Sequence, residues 1–307
     1  MTTELHETKS RRGWSSRSVG TAWQLGFFYA LVRLGGRRVS YFFLRLIAPY
    51  YVFVRVGIAR RSDPYLRRRF PSASWLGRRW HCLRHFIALG ETILDKAIAG
   101  LRQRPLTEHN PDLRRYLQEI VAEGKGVIIV TAHVGCWQMA LAGLDFLPGS
   151  VNMVMYRDEE DRERDVFTHA GAEPPYRVID PTGAFGGAIE IVDRLASGDV
   201  VCVMGDRLMY PEAPAVAVPF LGAPVRFPTG VYRLAAVAGA PVVVLLSHKT
   251  GSGSYRVEMA KEIRLPAAAA RQPEAWRDCA QLYAAALADY AEKYPHQFFN
   301  FYDMWAT

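Results

Sequence analysis

The sequence predicts an α/β fold, a mixed and largely parallel sheet flanked by helices, with a helical membrane-associated segment in front of it. Three observations support this prediction. From residue 110 onward, short apolar runs rich in β-branched residues alternate with amphipathic stretches, the pattern of strands and helices in a parallel sheet. Before residue 58, aromatic-rich runs are interrupted only by arginine among the charged residues. Residues 1–104 hold 20 basic and 5 acidic residues, whereas residues 105–307 hold 18 and 25.

The composition is that of a chain with a sizeable apolar core. Of 307 residues, 50% are hydrophobic and 22% are charged, which excludes a disordered chain, a collagen-like chain and a disulfide miniprotein. The four cysteines, Cys82, Cys136, Cys202 and Cys279, lie far apart without a CxxC pair. We therefore expect no metal site and no disulfide framework, and a reducing cytosol fits this pattern.

The basic N-terminal third divides into three segments, residues 1–18, 19–57 and 58–104. Residues 1–18 form a polar basic tail without the features of a cleaved signal peptide. Residues 19–57 contain two apolar runs, 19–32 and 39–54, each shorter than the roughly 20 apolar residues of a spanning helix. Because arginine can extend from an aromatic-rich helix to anionic headgroups, we expect a helical pair lying in a membrane surface. A single tilted span, or ordinary helices packed on the domain, are the alternatives. Since the basic residues lie between apolar runs and not on a polar face, nucleic acid is not an expected partner.

Residues 58–104 are predicted as a basic helical segment, and residues 105–307 as the α/β domain. Within that domain, strands are predicted over 126–132, 151–156, 177–179, 199–204, 215–220 (an edge strand), 241–246 and 255–259 (a hairpin arm). Helices are predicted over 113–123, 136–147, 158–170, 186–196, 229–238 and 273–294. Ligands of an open α/β sheet bind beyond the carboxyl ends of its strands, so the residues that follow these strands are the candidate site.

Two predicted strands are followed by residues that can carry chemistry. His133 comes directly after the strand over 126–132, where its imidazole could accept a proton from a hydroxyl nucleophile. A helix-capping or buried histidine is the other interpretation of this position. Asp206 and Arg207 follow the strand over 199–204. Cys136 could act as a thiol nucleophile, although a small packed residue is the favoured interpretation.

Four blocks of the sequence, in order, resemble the late acyltransferases of lipid A biosynthesis, in the glycerolipid acyltransferase superfamily. The string Thr131-Ala-His-Val-Gly-Cys-Trp-Gln138 is similar to their first motif, a histidine followed four residues later by Glu or Asp. The other blocks are Met155–Arg157, then Gly205–Arg207 with Val218–Gly222 and Phe227–Gly230, and finally Tyr294–Phe301. The resemblance covers roughly residues 115–305.

This resemblance implies a mechanism and its partners. His133 would be the general base that lets an acceptor hydroxyl attack the thioester of an acyl carrier protein or acyl-CoA donor. Arg157 and Arg207 would hold phosphate or sugar of the acceptor, and Gly135, Phe220, Gly222 and Gly230 would shape the substrate site. No metal and no cofactor other than the donor are implied. The acceptor would be a lipid A-like lipid or glycolipid at the cytoplasmic face of the inner membrane, with the enzyme peripheral or monotopic on anionic lipids.

Gln138 departs from the family pattern, because it stands where the motif has its carboxylate. An amide can still accept a hydrogen bond from the imidazole, but it cannot neutralise an imidazolium. Three interpretations follow. Gln138 orients His133 for a slower reaction, or another carboxylate, Asp206 or Asp145, replaces it, or the chain is a lipid-binding protein without catalysis. A thioesterase that depends on Cys136 is a further alternative.

Overall fold

The computed structural model describes residues 22–102, 107–108, 110–144, 146–155, 176–208 and 212–306. The N-terminal part is helical. Helix α1 (Ala22–Pro49) continues into a short π-helical turn (Tyr50–Val54) and is followed by α2 (Gly57–Arg69) and α3 (Trp75–Arg102). A backbone break at Gly36, with φ of 64°, kinks α1 between the two predicted apolar runs. Among the described residues no single helix has the length and apolar character of a membrane span. The segments Gly26–Val54 and Gly57–Arg69, which are bent by 84° relative to each other, reach that length and apolar character only in combination.

The remaining elements follow in the order that the sequence predicts, except that β6 is an additional strand that the sequence does not predict. They are α4 (Pro111–Ala122), β1 (Val127–Thr131), α5 (Trp137–Ala142), β2 (Val151–Val154), β3 (Arg177–Ile179), α6 (Ala188–Ala196), β4 (Val200–Met204), β5 (Ala215–Phe220), β6 (Ala223–Pro228), α7 (Gly230–Ala238), β7 (Val242–Gly251), β8 (Ser254–Ile263) and α8 (Pro273–Lys293). Short 3-10 turns at Ala184–Gly187 and Ala267–Arg271 precede α6 and α8. The predicted helix over 158–170 lies outside the described residues.

Six strands form the main sheet in the order β3-β2-β4-β1-β7-β8. The first five run parallel, and β8 is antiparallel to β7 at one edge. The α/β prediction with a largely parallel sheet is therefore confirmed. Strand β1 lies in the middle, and all five of its residues are buried. Alternate residues of the central strands point into two apolar clusters, one on each face of the sheet, so the helices cover both faces.

Several predicted elements differ from the structure. The strands β7 and β8 are longer than the predicted strands over 241–246 and 255–259. The helix predicted over 136–147 is reduced to the six residues of α5. Residues 215–220 form a strand, but β5 pairs with β6 in a separate two-stranded sheet and is not an edge of the main one. The turn between β5 and β6 consists of Leu221 and Gly222, both with positive φ, which matches the twist of a tight hairpin and closes it locally.

The N-terminal helices pack on the domain through a buried charged cluster. Asp95 of α3 is fully buried and accepts hydrogen bonds from Arg37 Nε (2.9 Å) and Tyr41 Oη (2.6 Å) of α1. Lys249 of β7 lies 3.0 Å from the same carboxylate, and the Tyr255 hydroxyl of β8 donates to it at 2.9 Å. A buried carboxylate requires such partners, so α1 and α3 are tied to the edge of the sheet.

Candidate active site

His133 and Asp206 meet at the carboxyl edge of the sheet. The strands β1 and β4 are parallel neighbours, and Thr131 pairs with Met204 in their register. His133 and Asp206 each come two residues after this pair, so the two loops carry them to the same height above the sheet. His133 Nδ1 lies 3.0 Å from each carboxylate oxygen of Asp206. The register of two strands thus assembles an imidazole–carboxylate dyad from residues 73 positions apart.

The two members of this dyad differ in exposure. The side chain of Asp206 is 1% exposed, whereas that of His133 is 26% exposed. A carboxylate can only accept, so Nδ1 carries the proton and donates it to Asp206. The second ring nitrogen, Nε2, makes no hydrogen bond to any described residue and keeps its lone pair. It is therefore available to take a proton from a bound hydroxyl.

Burial and the neighbouring charges together favour neutral His133 and ionised Asp206. Burial lowers the pKa of His133, the charge of Arg207 lowers it further, and Asp206 acts in the opposite direction. Burial by itself would raise the pKa of Asp206, but the His133 charge and hydrogen bond, together with Arg207, hold it below its usual value. At neutral pH the pair is a neutral base beside a fixed anion, the arrangement that general-base catalysis requires.

Residues near the C-terminus hold the dyad in place. The Tyr302 hydroxyl donates to the backbone carbonyl of Asp206 at 3.2 Å. Arg207 lies across the Tyr302 ring at 5.0 Å, donates from Nη2 to the Phe299 carbonyl at 2.9 Å, and has Nε 3.6 Å from Asp206 Oδ2. Tyr302 was not predicted, since it lies one residue beyond the C-terminal motif. Arg207 therefore contacts residues next to the dyad and lowers the pKa of both His133 and Asp206. Its predicted contact with an acceptor stays a prediction.

Gly135 lets the chain pass close to β7. Its φ is +48°, and a Cβ at this position would collide with the backbone carbonyl of Ser247. The Gly135 N–H donates to the Gln297 carbonyl at 3.1 Å. The structure thus gives Gly135 a backbone role beside the dyad, and its predicted role in shaping the substrate site stays a prediction.

Gln138 does not pair with His133. It lies in the first turn of α5, half-buried, and among the described residues no hydrogen bond joins the two side chains. The geometry therefore favours the second of the three interpretations, in which Asp206 takes the position beside the imidazole, because the strand register brings its carboxylate to Nδ1. Asp145 and Arg157 lie outside the described residues.

The other predicted substrate-site residues belong to the hairpin and the helix after it. Phe220 is buried and packs its ring edge-on against Phe298 at 6.1 Å, so it supports the core behind the His133 loop. Gly222 lies in the hairpin turn, and Gly230 begins α7. Their predicted role in shaping the substrate site stays a prediction.

Cys136 is unsuited to act as a nucleophile. It is fully buried, and burial raises its thiol pKa to about 11, so the reactive thiolate is not populated at neutral pH. The described residues also contain no cluster of three or more histidine, cysteine or acidic side chains placed to bind a metal ion.

Comparison with known proteins agrees with the four-motif resemblance. The family model for bacterial lipid A biosynthesis acyltransferases matches residues 113–307. A phosphatidylinositol mannoside acyltransferase of Mycobacterium tuberculosis (strain CDC 1551 / Oshkosh) is 28% identical over 151 residues, which is 49% of this chain and 43% of the relative. The protein of the same name from strain ATCC 25618 / H37Rv gives the same figures. The match thus spans less than half the length of these curated relatives. Because the family model covers well over half of the chain, the chain belongs to the bacterial lipid A biosynthesis acyltransferase family.

Proposed function

We propose that the protein moves a fatty acyl group from an acyl thioester to a hydroxyl of a lipid or glycolipid acceptor of the lipid A type. The observation that supports this most directly is the His133–Asp206 dyad, whose free Nε2 is a base for a hydroxyl group. Membership in the family supports acyl transfer as the reaction. The Mycobacterium relatives are named for a phospholipid that carries sugar hydroxyls, which supports a glycolipid acceptor.

The geometry suits direct transfer without an acyl-enzyme intermediate. Nε2 of His133 takes the proton of the acceptor hydroxyl as its oxygen bonds to the thioester carbonyl carbon. The C–S bond then breaks, the thiolate leaves, and the imidazolium returns the proton to sulfur. Asp206 stabilises the imidazolium between these two steps and keeps the ring in one tautomer. The donor would be an acyl carrier protein or coenzyme A thioester.

The outer surface of the N-terminal helices supports docking on a membrane. Helix α1 buries Tyr41, Leu44 and Ala48 on one side and exposes Phe42 and Leu46 on the other. The start of α3 lies beside the turn after α1, since Arg79 Nη1 donates to the Val52 carbonyl at 3.0 Å, and both segments carry exposed apolar side chains. We call this surface the apolar face; its members are Phe42, Leu46, Tyr50, Phe53, Val54, Trp75, Leu76 and Trp80.

Arginine borders the apolar face. Arg38 and Arg55 are exposed on this segment and supply positive charge that attracts anionic lipids. Arg45 is exposed there too, although it pairs with Glu91 at 2.7 Å. Aromatic side chains next to arginine are typical of helices that lie in the headgroup region. We therefore propose peripheral or monotopic attachment to anionic lipids at the cytoplasmic face of the inner membrane.

Acyl transfer is tested with purified protein, an acyl carrier protein or coenzyme A thioester, and a bacterial lipid extract as acceptor. Mass spectrometry measures the acylated lipid. We expect product from the wild type and none above background from His133→Ala, whereas the matched variant Cys136→Ala should keep its activity. Equal product from wild type and His133→Ala would contradict the proposed function.

Membrane docking is tested by sedimentation with phosphatidylglycerol-containing vesicles. Burying one apolar side chain contributes about 1.5 kcal/mol or more, so Phe42→Ser with Leu46→Ser should weaken binding at least about a hundredfold. Leu282→Ser is the matched control, because Leu282 is exposed on α8, outside the apolar face. Equal binding of the double variant and the wild type would overturn the assignment of this surface.

A further inference from the structure

The segment that follows α8 pairs with the loop that carries His133. The Phe299 N–H donates to the His133 carbonyl at 2.8 Å, and the Gly135 N–H donates to the Gln297 carbonyl at 3.1 Å. Val134 and Phe298 form an antiparallel bridge between these two hydrogen bonds. The position of the catalytic loop therefore depends on the position of residues 297–299.

His85 of α3 binds the same segment through the backbone carbonyl of Phe298. Its Nε2 lies 2.9 Å from the Phe298 carbonyl, and because a carbonyl only accepts, Nε2 carries the proton and donates it. The ring is fully buried and stacks on Phe301 at a centroid distance of 4.3 Å. Burial lowers the pKa of His85 to about 4, so the ring is neutral and keeps this tautomer at neutral pH.

Packing alone does not account for a histidine at this position. Nδ1 of His85 is buried and has no hydrogen-bond partner among the described residues. A buried polar atom without a partner costs free energy, and an apolar side chain of similar size would fill the space without that cost. The polar interaction that this side chain does make is through its other nitrogen, Nε2, which donates to the Phe298 carbonyl.

We propose that His85 is a positioning residue for the acyl-transfer reaction. Its Nε2–H fixes the Phe298 carbonyl, and the adjacent Phe299 N–H then fixes the His133 carbonyl, so that the imidazole keeps its place against Asp206. His85 does not touch the reacting atoms. Its effect on turnover rests on the proposed function, whereas its effect on the His133–Asp206 hydrogen bond does not.

Three variants separate positioning from packing. His85→Leu removes the donor but fills the space, His85→Asn is polar but too short to reach Phe298, and His85→Gln places an amide nitrogen near the position of Nε2. We expect kcat to fall about 10- to 100-fold in the Leu and Asn variants with KM within about twofold, since small displacements of reacting groups have effects of this size. The Gln variant should recover most of kcat. His248→Asn, at a second buried histidine that stacks on Tyr294, is the matched control and should leave kcat unchanged.

Proton NMR supplies a readout that needs no substrate. The His133 Nδ1–H held by Asp206 should give a downfield resonance, identified by its loss in His133→Ala. This resonance should shift or broaden in His85→Asn and His85→Leu and persist in His85→Gln and His248→Asn, with thermal unfolding showing that each protein is folded. If His85→Leu does not fold, the Asn and Gln pair carries the test. An unchanged resonance and kcat in a folded disrupting variant, or equal defects in the Gln and Asn variants, would overturn the proposal.

Discussion

Asp206→Asn tests the dyad most directly, because it removes one charge and little volume. In the wild type both carboxylate oxygens lie 3.0 Å from His133 Nδ1. With the charge centres about 4 Å apart and an effective dielectric constant of about 20, the carboxylate stabilises an imidazolium by about 4 kcal/mol, or about 10³-fold in rate. An amide also allows the wrong tautomer, with the proton on Nε2, and the same change in serine-protease triads costs about 10⁴-fold. We therefore expect kcat to fall about 10³- to 10⁴-fold.

The assay measures initial rates of acyl transfer at saturating thioester and lipid, near pH 8, where the imidazole of His133 is neutral. Gln138→Ala is the matched comparison, since Gln138 has no hydrogen bond with His133, and its kcat should stay within about threefold of wild type. Circular dichroism and thermal unfolding show whether each variant is folded. A folded Asp206→Asn enzyme that keeps more than a tenth of wild-type kcat, or a Gln138→Ala loss of similar size to that of Asp206→Asn, would refute the assignment of Asp206 as the partner of the imidazole.

Three further predictions concern pH, the charged cluster and the catalytic loop. Because the reaction needs neutral His133 and its pKa is lowered, kcat/KM should decrease as pH falls, with a midpoint below about 6.5; a midpoint above that value would contradict the electrostatics. Asp95→Asn should reduce the free energy of unfolding by about 1–3 kcal/mol in urea titrations, because it removes the charge that Arg37, Tyr41 and Tyr255 bind, although Lys249 keeps its ion pair with Glu91. The exposed Asp112→Asn serves as control, and equal effects of the two variants would argue against the cluster. Gly135→Ala should lower the unfolding temperature and nearly abolish turnover, since φ is +48° and Ser247 leaves no room for a Cβ; a stable, active variant would show that the loop tolerates another path.

Much of the fold follows from local patterns in the sequence. The run Val127–Thr131 consists of β-branched residues, all apolar except Thr131, and it is the buried central strand. Alternating apolar runs and amphipathic stretches predict a largely parallel sheet, because parallel strands need helical crossovers. The shortened α5 and the separate hairpin of β5 and β6 were not predictable in the same way. The length of a helix, and the sheet that a given strand joins, depend on long-range packing, which local propensity does not describe.

The candidate site was predictable in its parts and not in its pairing. The position of His133 and Asp206 after strands identifies both as candidates, since ligands bind at the carboxyl edge of such sheets. The motif spacing directs attention to Gln138 as the partner of the imidazole. The register of β1 and β4 decides otherwise, because it brings Asp206 to Nδ1. Tyr302 and His85 carry no sequence signal, since their contacts join residues far apart in the chain.

The sequence by itself determined the α/β class, the family and the histidine that can act as a base, because periodicity and short motifs are properties of neighbouring residues. It also showed that a basic, aromatic N-terminal third precedes a net acidic remainder of the chain. Only the tertiary structure decided which carboxylate pairs with His133, which side of α1 is exposed, and how the segment after α8 pairs with the loop that carries His133. These depend on strand register and on packing between distant segments, where a hydrogen bond forms only when the whole fold brings its donor and acceptor within about 3 Å.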